Sequence, residues 1–521
     1  MSTAVSPAST GMARGESKRP WIGILGVLLA AVASTLTSRL TTNGLADIRG
    51  AVGAGFDEGA WITTAYTVAQ MLVGPIAIWI AKVVGIRRVL LCGVAMFGIA
   101  EALIPGAPNL SCVICLQAIA GLGSGTFIPL AIGFIRQNLP ARLQAFGIAA
   151  YAMNIELSLN IAATLEGWYS EHLGWQWIFW QNAVLSLPVI ICFWGGIPSA
   201  PVDRKALRQG DYRGMVLGAA GLSLLYAALD QGDRLQWFDS QVLVVLVSLG
   251  VLALAWFLLH ETYSPNAGID FSILARRNVA LILILLAVIR FLIVSATYLV
   301  PQFMINVRGL RPLEIGDVML WVALPQFILA PTVAWLLNHF DGRLIKVIGI
   351  LLLVAANVEA FTLTSDWAEP DFILPELLQA AGQSLALTSL IVVVLKQSRP
   401  EEVLAFGAFV QTARLFGGEV GYATLQVFCR IREQTASNLI GLHAGAYDPE
   451  TMARLQNYAS STGAQAPGLS EALPLGLLDR AIRTQAFTLA YADGFLLTAC
   501  VAAFGLLLVL LICKVPDTPA R

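Results

Sequence analysis

Eight ionisable side chains lie inside long apolar runs of this 521-residue chain: Glu101, Glu156, Glu166, Arg290, Glu359, Arg414, Glu419 and Asp493. An ionised group near the centre of a bilayer costs at least ~2.5–3.5 kcal/mol on insertion scales, so it tends to face a cavity or a partner. Glu156 is the most telling. It sits in YAMNIELSLNIAATLEGW, flanked by Asn154 and Ser158, with Asn160 one helical turn on and on the same face. Lipid would leave these groups unpaired, so this face meets water or a polar helix. A carboxyl that alternates between apolar surroundings, which favour its neutral form, and a nearby cation, which favours its charged form, takes up and releases a proton. Glu156 therefore reads as a proton-coupling element or, alternatively, as a static interhelical hydrogen-bonding group.

A second cluster lies in AFVQTARLFGGEVGYATLQ, which holds Gln411, Arg414 and Glu419. Arg414 and Glu419 are five residues apart, roughly 140° around a helix, so they do not pair with each other. Gly417, Gly418 and Gly421 imply a close helix approach beside that charge. Glu419 is the second candidate proton carrier and Asp493 the third. Arg290 could counter Glu156, recognise an anionic substrate or form a structural ion pair. Glu101, Glu166, Glu359 and Asp493 fall near span ends, which predicts solvated helix ends. A lipophilic cavity needs aromatic walls and few polar anchors, for which Tyr151, Phe291, Tyr298, Gln302, Trp321, Phe327, Phe409 and Tyr422 are placed. Most such aromatics simply pack or sit at the interface.

The elements that must hold these groups follow from composition. The chain is 57% hydrophobic and 12% charged, with a mean hydropathy of +0.73. That is too little polar surface to cover a water-soluble globule. A net charge of −1 offers no field for a nucleic acid. Cys92, Cys192, Cys500 and Cys513 fall in apolar runs, and the Cys112–Cys115 pair reads as packing rather than as a disulfide or redox motif. No metal-ligand spacing, cofactor motif or nucleophile–base set is present, which argues against an enzyme. A sensor would need a soluble signalling domain, and none is legible.

A bilayer crossing takes roughly 20 apolar residues. Fourteen such spans are expected, at about 21–42, 60–80, 88–104, 110–135, 143–165, 177–197, 213–230, 240–260, 279–303, 316–338, 344–364, 372–395, 402–428 and 487–513. The first follows Lys18 and Arg19 and reads as an uncleaved signal anchor. With the N-terminus in the cytoplasm, 20 of the 32 Lys and Arg fall inside and 10 outside, Arg290 and Arg414 remaining within spans. This satisfies the positive-inside rule and returns the C-terminus to the cytoplasm. The one sizeable extramembrane piece, 429–486, has turn signals at Tyr447-Asp448-Pro449 and Ser460-Ser461-Thr462-Gly463, with short helices expected near Pro449 and Ser470. It is a connector or a docking surface.

A repeat organises the spans. Residues 74–93, GPIAIWIAKVVGIRRVLLCG, align without gaps to 330–349, APTVAWLLNHFDGRLIKVIG, pairing Pro75 with Pro331, Trp79 with Trp335, Arg87 with Arg343 and Gly93 with Gly349. Both stretches leave one span through a basic turn and enter the next. An offset of eight spans makes two six-span halves with two spans inserted between them, a parallel repeat. The expected division is a cytoplasmic tail 1–20, an N-terminal bundle 21–200, inserted spans 201–275 and a C-terminal bundle 276–521. The fold class is thus an all-α membrane protein of 6 + 2 + 6 helices.

Several stretches then carry a resemblance: Trp61-Ile62-Thr63-Thr64, Trp79-Ile80-Ala81-Lys82-Val83-Val84-Gly85, Gly121-Leu122-Gly123-Ser124-Gly125 with Ile128-Pro129-Leu130, Gly174-Trp175-Gln176-Trp177-Ile178-Phe179, Arg483-Thr484-Gln485-Ala486 and Tyr491-Ala492-Asp493-Gly494-Phe495. In this order, over nearly the whole chain, they resemble the fourteen-span drug:proton antiporter branch of the major facilitator superfamily, most closely EmrB-type permeases. The resemblance implies a major facilitator fold and proton-driven export of amphipathic drugs or toxic compounds across a bacterial inner membrane. It also implies a periplasmic adaptor (a membrane fusion protein) and an outer-membrane channel as partners. It supports Arg414, because an Arg before a Gly pair is usual there. It makes the turns with Lys82, Arg87, Arg88, Arg343 and Lys346 a cytoplasmic gate latch, although the same residues also serve as topology signals. The chain departs from the family at Thr37-Ser38-Arg39-Leu40-Thr41-Thr42-Asn43, where the usual span-1 Asp is missing. It departs again at Gln117, in place of the span-4 Arg, and at Ala162-Ala163-Thr164-Leu165-Glu166-Gly167, in place of the span-5 motif. Coupling must therefore use other groups, and an uncoupled or differently coupled carrier of a specific metabolite is the rival reading.

Overall fold

The computed structural model describes residues 19–204, 210–263, 277–397, 403–445, 448–462 and 469–511, and every regular element among them is a helix. Spans 1 to 6 are Pro20–Asn43, Trp61–Val84, Ile86–Leu103, Leu110–Ser124 continued by Phe127–Asn138, Ala141–His172 and Trp177–Gly196. Spans 7 and 8 are Tyr212–Gly232 and Gln241–Tyr263. Spans 9 to 12 are Arg277–Val294, prolonged through two π-helical turns to Arg308, then Pro312–Ala323 continued by Gln326–His339, Gly342–Phe361 and Glu369–Gln397. Spans 13 and 14 are Val403–His443 and Leu469–Leu511. The tail 1–18, Lys205, Arg208, Arg276, Arg399, Tyr447, Gly463 and Cys513 lie outside the described residues.

Thirteen of these helices are long and apolar enough to cross a membrane. Span 13 falls just short of that standard because Gln411, Arg414 and Glu419 interrupt its apolar run, yet it packs between span 9, span 14 and span 2 like the rest. The fold is an all-α, multi-span membrane architecture. Local chemistry starts the helices where the sequence permits. Asn109 accepts the Cys112 amide at 2.9 Å, Asp211 that of Gly214 at 3.0 Å and Asp341 that of Arg343 at 2.9 Å, each satisfying an orphan donor at a helix start. The repeat solves its basic turn in two ways. Gly85 takes φ +92° between spans 2 and 3, a conformation side chains resist, whereas Asp341 at the matching position caps span 11 instead.

Packing follows the repeat. Span 1 lies on 5 and 6 as span 9 lies on 13 and 14, span 3 on 4 and 6 as 11 on 12 and 14, and span 2 on 4 as 10 on 12. The halves meet where span 5 runs along span 10 and, in pseudo-twofold correspondence, where span 13 runs along span 2. Toward the face bearing 429–486, the far face, Gly316 of span 10 lies so near span 5 that a Cβ there would stand 2.6 Å from the Thr164 Cα. Toward the face where spans 1 and 14 have their outer chain ends, the terminal face, a Cβ on Gly407 would stand 2.7 Å from the Pro129 carbonyl. The halves thus close on each other at both faces.

The inserted pair is asymmetric. Span 8 buries only Leu243, Gly250, Phe257 and Glu261 and is otherwise on the outside. Span 7 lies against it and also against span 2 of one half and span 13 of the other. Both helices expected within 429–486 are present, and much of the remaining segment belongs to the spans themselves. A helix does start at Pro449 and another at Leu469, but the second runs unbroken into span 14, and span 13 continues to His443. Their 41 and 43 residues reach roughly 60 Å each, about twice a bilayer core.

Candidate functional site

Span 5 carries Glu156, span 9 Arg290 and span 13 Arg414 and Glu419; all four are buried between helices rather than turned to the outside. Arg290 Nη1 stands 3.8 Å from Glu156 Oε1, an ion pair joining the two halves at mid-depth. Neither carboxylate oxygen of Glu156 has a hydrogen-bond partner among the described residues, nor do Nε and Nη1 of Arg290. Buried charges are normally saturated with hydrogen bonds. A pair that attracts without being tied is suited to parting.

Around it the polar groups continue across the half interface. Arg414 Nε donates to Gln411 Oε1 at 3.2 Å. The Glu419 carboxylate accepts from Tyr226 Oη of span 7 at 2.6 Å, while its other oxygen has no partner among the described residues. Tyr151 of span 5 interacts electrostatically with both Arg290 and Arg414, its hydroxyl unpartnered among the described residues. On the N-terminal side, Tyr66 donates to the Ser34 carbonyl at 2.9 Å, and Gln70 reaches Ser34 and Ser124, both at 2.9 Å.

The sequence candidates sort clearly. Glu156 and Arg290 are brought together, with Arg414 and Glu419 in the same polar layer. Arg414 and Glu419 take different partners, in keeping with their helical spacing. Asn160 is buried, but its amide donates to the Glu156 backbone carbonyl at 2.7 Å rather than to the carboxylate. Gln117 is fully buried with neither amide atom partnered among the described residues. Tyr298 meets Tyr422 edge-on at 4.7 Å, and Gln302 accepts from Asn306 at 3.2 Å. Asp493 stands apart near the far face, where Arg432 Nε donates to it at 2.7 Å.

The basic turns are each engaged within their own half. Arg87 lies 4.6 Å from the Trp194 ring, Arg88 donates to the Val84 carbonyl at 3.1 Å, and Arg343 donates to the Leu510 carbonyl at 2.9 Å. Lys82 is exposed and Lys346 buried.

Two expectations are corrected. Glu101 and Glu166 are not solvated helix ends. Glu101 is covered by span 6 and accepts from Asn182 at 3.5 Å; Glu166 accepts from Ser170 at 3.3 Å beneath Gly44. Trp321 and Phe327 are exposed on the outside of span 10 and line no interior space.

Other residues join the layer unannounced. Arg39, in the last turns of span 1, interacts electrostatically with Glu156, Arg290, Arg414 and Glu419. Asp230 of span 7 acts on Glu419 from the inserted pair and is held by Thr64 and by Gln231, the latter at 3.1 Å. The available signal for Arg39 was a cation where a carboxylate was looked for.

Against known proteins, the Major Facilitator Superfamily model matches residues 27–422. The chain is similar to "Multidrug export protein EmrB" of Haemophilus influenzae, 25% identical over 94% of this chain and 95% of that one. It is similar also to "Fatty acid resistance protein FarB" of Neisseria gonorrhoeae, 25% identical over 91% of this chain and 92% of the relative. Among solved structures, the proton:xylose symporter XylE shares the fold, with a TM-score of 0.56, 11% identity and coverage of 92% of this chain and 94% of that one.

Proposed function

Because the chain belongs to the major facilitator superfamily, we propose that it is a proton-coupled exporter that carries amphipathic toxic compounds across a bacterial inner membrane by alternating access. The observation that carries the coupling is the half-bridging Glu156–Arg290 pair. With the halves together, the guanidinium favours the charged carboxylate. Opening the crevice to the far face would part Glu156 from its cation and favour uptake of a proton from that side. Opening to the terminal face would bring Arg290 back beside it, and the proton would leave to that side as the substrate is taken up. Glu419, bound to Tyr226 and facing Asp230, is the second group that such motion would disturb, with Asp493 a more remote candidate.

Substrate chemistry follows from the same layer. Arg39, Arg290 and Arg414 stand against Glu156 and Glu419, with Tyr151, Tyr298 and Tyr422 beside them. Such a crevice suits an apolar body with a polar or anionic head. The names of the EmrB and FarB relatives, which cite multidrug export and fatty acid resistance, support that class. The convergence of three arginines on one layer also favours a second reading, an uncoupled or differently coupled carrier of one anionic metabolite. The basic turns support a cytoplasmic terminal face. The long helices of spans 13 and 14 would then meet a periplasmic adaptor leading to an outer-membrane channel.

Proteoliposomes loaded with ethidium or with a long-chain fatty acid test this. Efflux is expected to rise with an imposed pH gradient and to acidify the opposite compartment. Transport unchanged after the gradient is collapsed removes proton coupling and leaves the carrier reading.

A further inference from the structure

Away from the crevice, within the C-terminal half, spans 9, 11, 12 and 14 enclose a cavity of about 10 Å³. That is room for one water-sized occupant. Its polar wall consists of Ser295, Asn357, Glu376 and Gln379; the rest is Ala296, Val300, Ala356, Ala360, Phe372, Pro375 and Phe495. All four polar residues are at least nine-tenths buried, and Glu376 Oε2 has no partner among the described residues.

The hydrogen bonds decide what such a cavity accepts. Ser295 Oγ donates to the Leu292 carbonyl at 2.8 Å, Gln379 Nε2 to the same carbonyl at 3.2 Å, Asn357 Nδ2 to the Leu353 carbonyl at 2.8 Å, and Thr498 Oγ1 to Asn357 Oδ1 at 2.7 Å. The Ser295 hydroxyl and one N–H of each amide are thereby turned to neighbours. The acceptors left on the wall are the unpartnered Glu376 carboxylate oxygen, the Gln379 amide oxygen and a lone pair each on Asn357 Oδ1 and Ser295 Oγ. Oxygen ligands with a net negative charge suit a small hard cation.

The repeat places a carboxylate and an amide at the same junction in both halves. Gly93 lies against Gly123 as Gly349 lies against Gly382. Counting back six residues from Gly123 and Gly382 makes Gln117 and Glu376 equivalent, and counting eight forward from Gly93 and Gly349 makes Glu101 and Asn357 equivalent. The first half has its acid on span 3 and its amide on span 4; the second half has the amide on span 11 and the acid on span 12. Each half thus holds one buried acid and one amide at this junction, on exchanged spans.

We propose that this cavity takes one monovalent cation: sodium, held between the Glu376 carboxylate and the side-chain oxygens of Asn357, Gln379 and Ser295, or a proton on that carboxylate. No other titratable or charged side chain lines it among the described residues; Glu359, on the same span as Asn357, is exposed. The site is independent of the export reading, because it is measured by binding.

The test is thermal unfolding of the purified full chain, with sodium exchanged for choline at constant ionic strength and repeated at lower pH. If sodium is the occupant, it raises the midpoint in the wild type and in Glu156→Gln but not in Glu376→Gln. Ser295→Ala, which keeps the charge, then needs roughly tenfold more sodium, the equivalent of about 1.4 kcal/mol. If a proton on the carboxylate is the occupant, sodium is silent, and acidification raises the midpoint together with a protonated-carboxyl infrared band that Glu376→Gln removes. The proposal is overturned if neither cation shifts the wild type, or if the shift persists undiminished in Glu376→Gln. Should that variant not fold, Ser295→Ala alone decides, and an unchanged sodium or acid response in it overturns the site.

Discussion

At the scale of single residues, the pair spanning the halves makes a sharp prediction. Removing one partner of a buried pair strands the other charge, at a cost of about 3–5 kcal/mol. Arg290→Met and Glu156→Gln should therefore each lower unfolding stability by that order, and Glu156→Gln, still folded, should no longer accumulate substrate against a gradient. The double variant should recover part of the loss, a coupling of about 0.5–3 kcal/mol in a denaturation cycle. Strictly additive effects would show that the two groups do not feel each other. Tyr226→Phe removes a hydrogen bond to a carboxylate and should cost about 1.5–3 kcal/mol, less in a Glu419→Gln background. Glu156, Arg290, Arg414 and Glu419 were legible because an ionisable residue in an apolar run stands out in one dimension. Arg39, Glu101 and Glu166 were not, because a position near a span end leaves open whether the side chain meets water or the roof of a neighbouring helix.

At the scale of elements, the span positions and the repeat were readable from hydropathy and from the Pro75–Trp79 and Pro331–Trp335 alignment. What hydropathy does not encode is continuity: the polar exteriors of spans 13 and 14 carry no apolar signal, so helices that leave the membrane intact read as loop. The glycine approaches give a prediction here. Gly316→Val drives span 10 off Thr164 and should hold the far face apart, while Gly407→Val against Pro129 should hold the terminal face apart. Spin-label distances across each face should lengthen in the matching variant only; a lengthening at neither face would refute the two-gate arrangement. Outside the membrane, Asp448 accepts from the Thr451 amide at 2.9 Å and hydroxyl at 2.8 Å, which holds its carboxyl below the usual range. A depressed carboxyl stabilises the fold above its ordinary titration range and loses that effect only as pH falls through the lowered value. The helix from Pro449 should thus persist in mild acid in the wild type, and Asp448→Ala should fray its first turn at every pH, as read by protease cleavage near Met452.

For the molecule as a whole, the inserted spans must choose a side when the halves move. Span 7 holds the N-terminal half through Ser223 to the Val68 carbonyl at 3.2 Å, Gln231 to Thr64, and Arg234 to Asp57 at 3.1 Å. It holds the other half through Tyr226 to Glu419 and Asp233 to Arg430 at 2.8 Å. The more numerous ties to the N-terminal half predict that it travels with that half. In a background without the native cysteines, a Thr64→Cys/Gln231→Cys disulfide should leave turnover intact, whereas Asp233→Cys/Arg430→Cys should arrest it. The reverse result would seat the insert on the other half. Span 13 makes any such motion visible at a distance, since one unbroken rod runs from Glu419 to His443. Twenty-four residues of helix measure about 36 Å, so a 10° tilt at the carboxylate sweeps the tip through about 6 Å. The helix is in that sense a mechanical pointer, reporting each stroke of the membrane interior to whatever rests on its end.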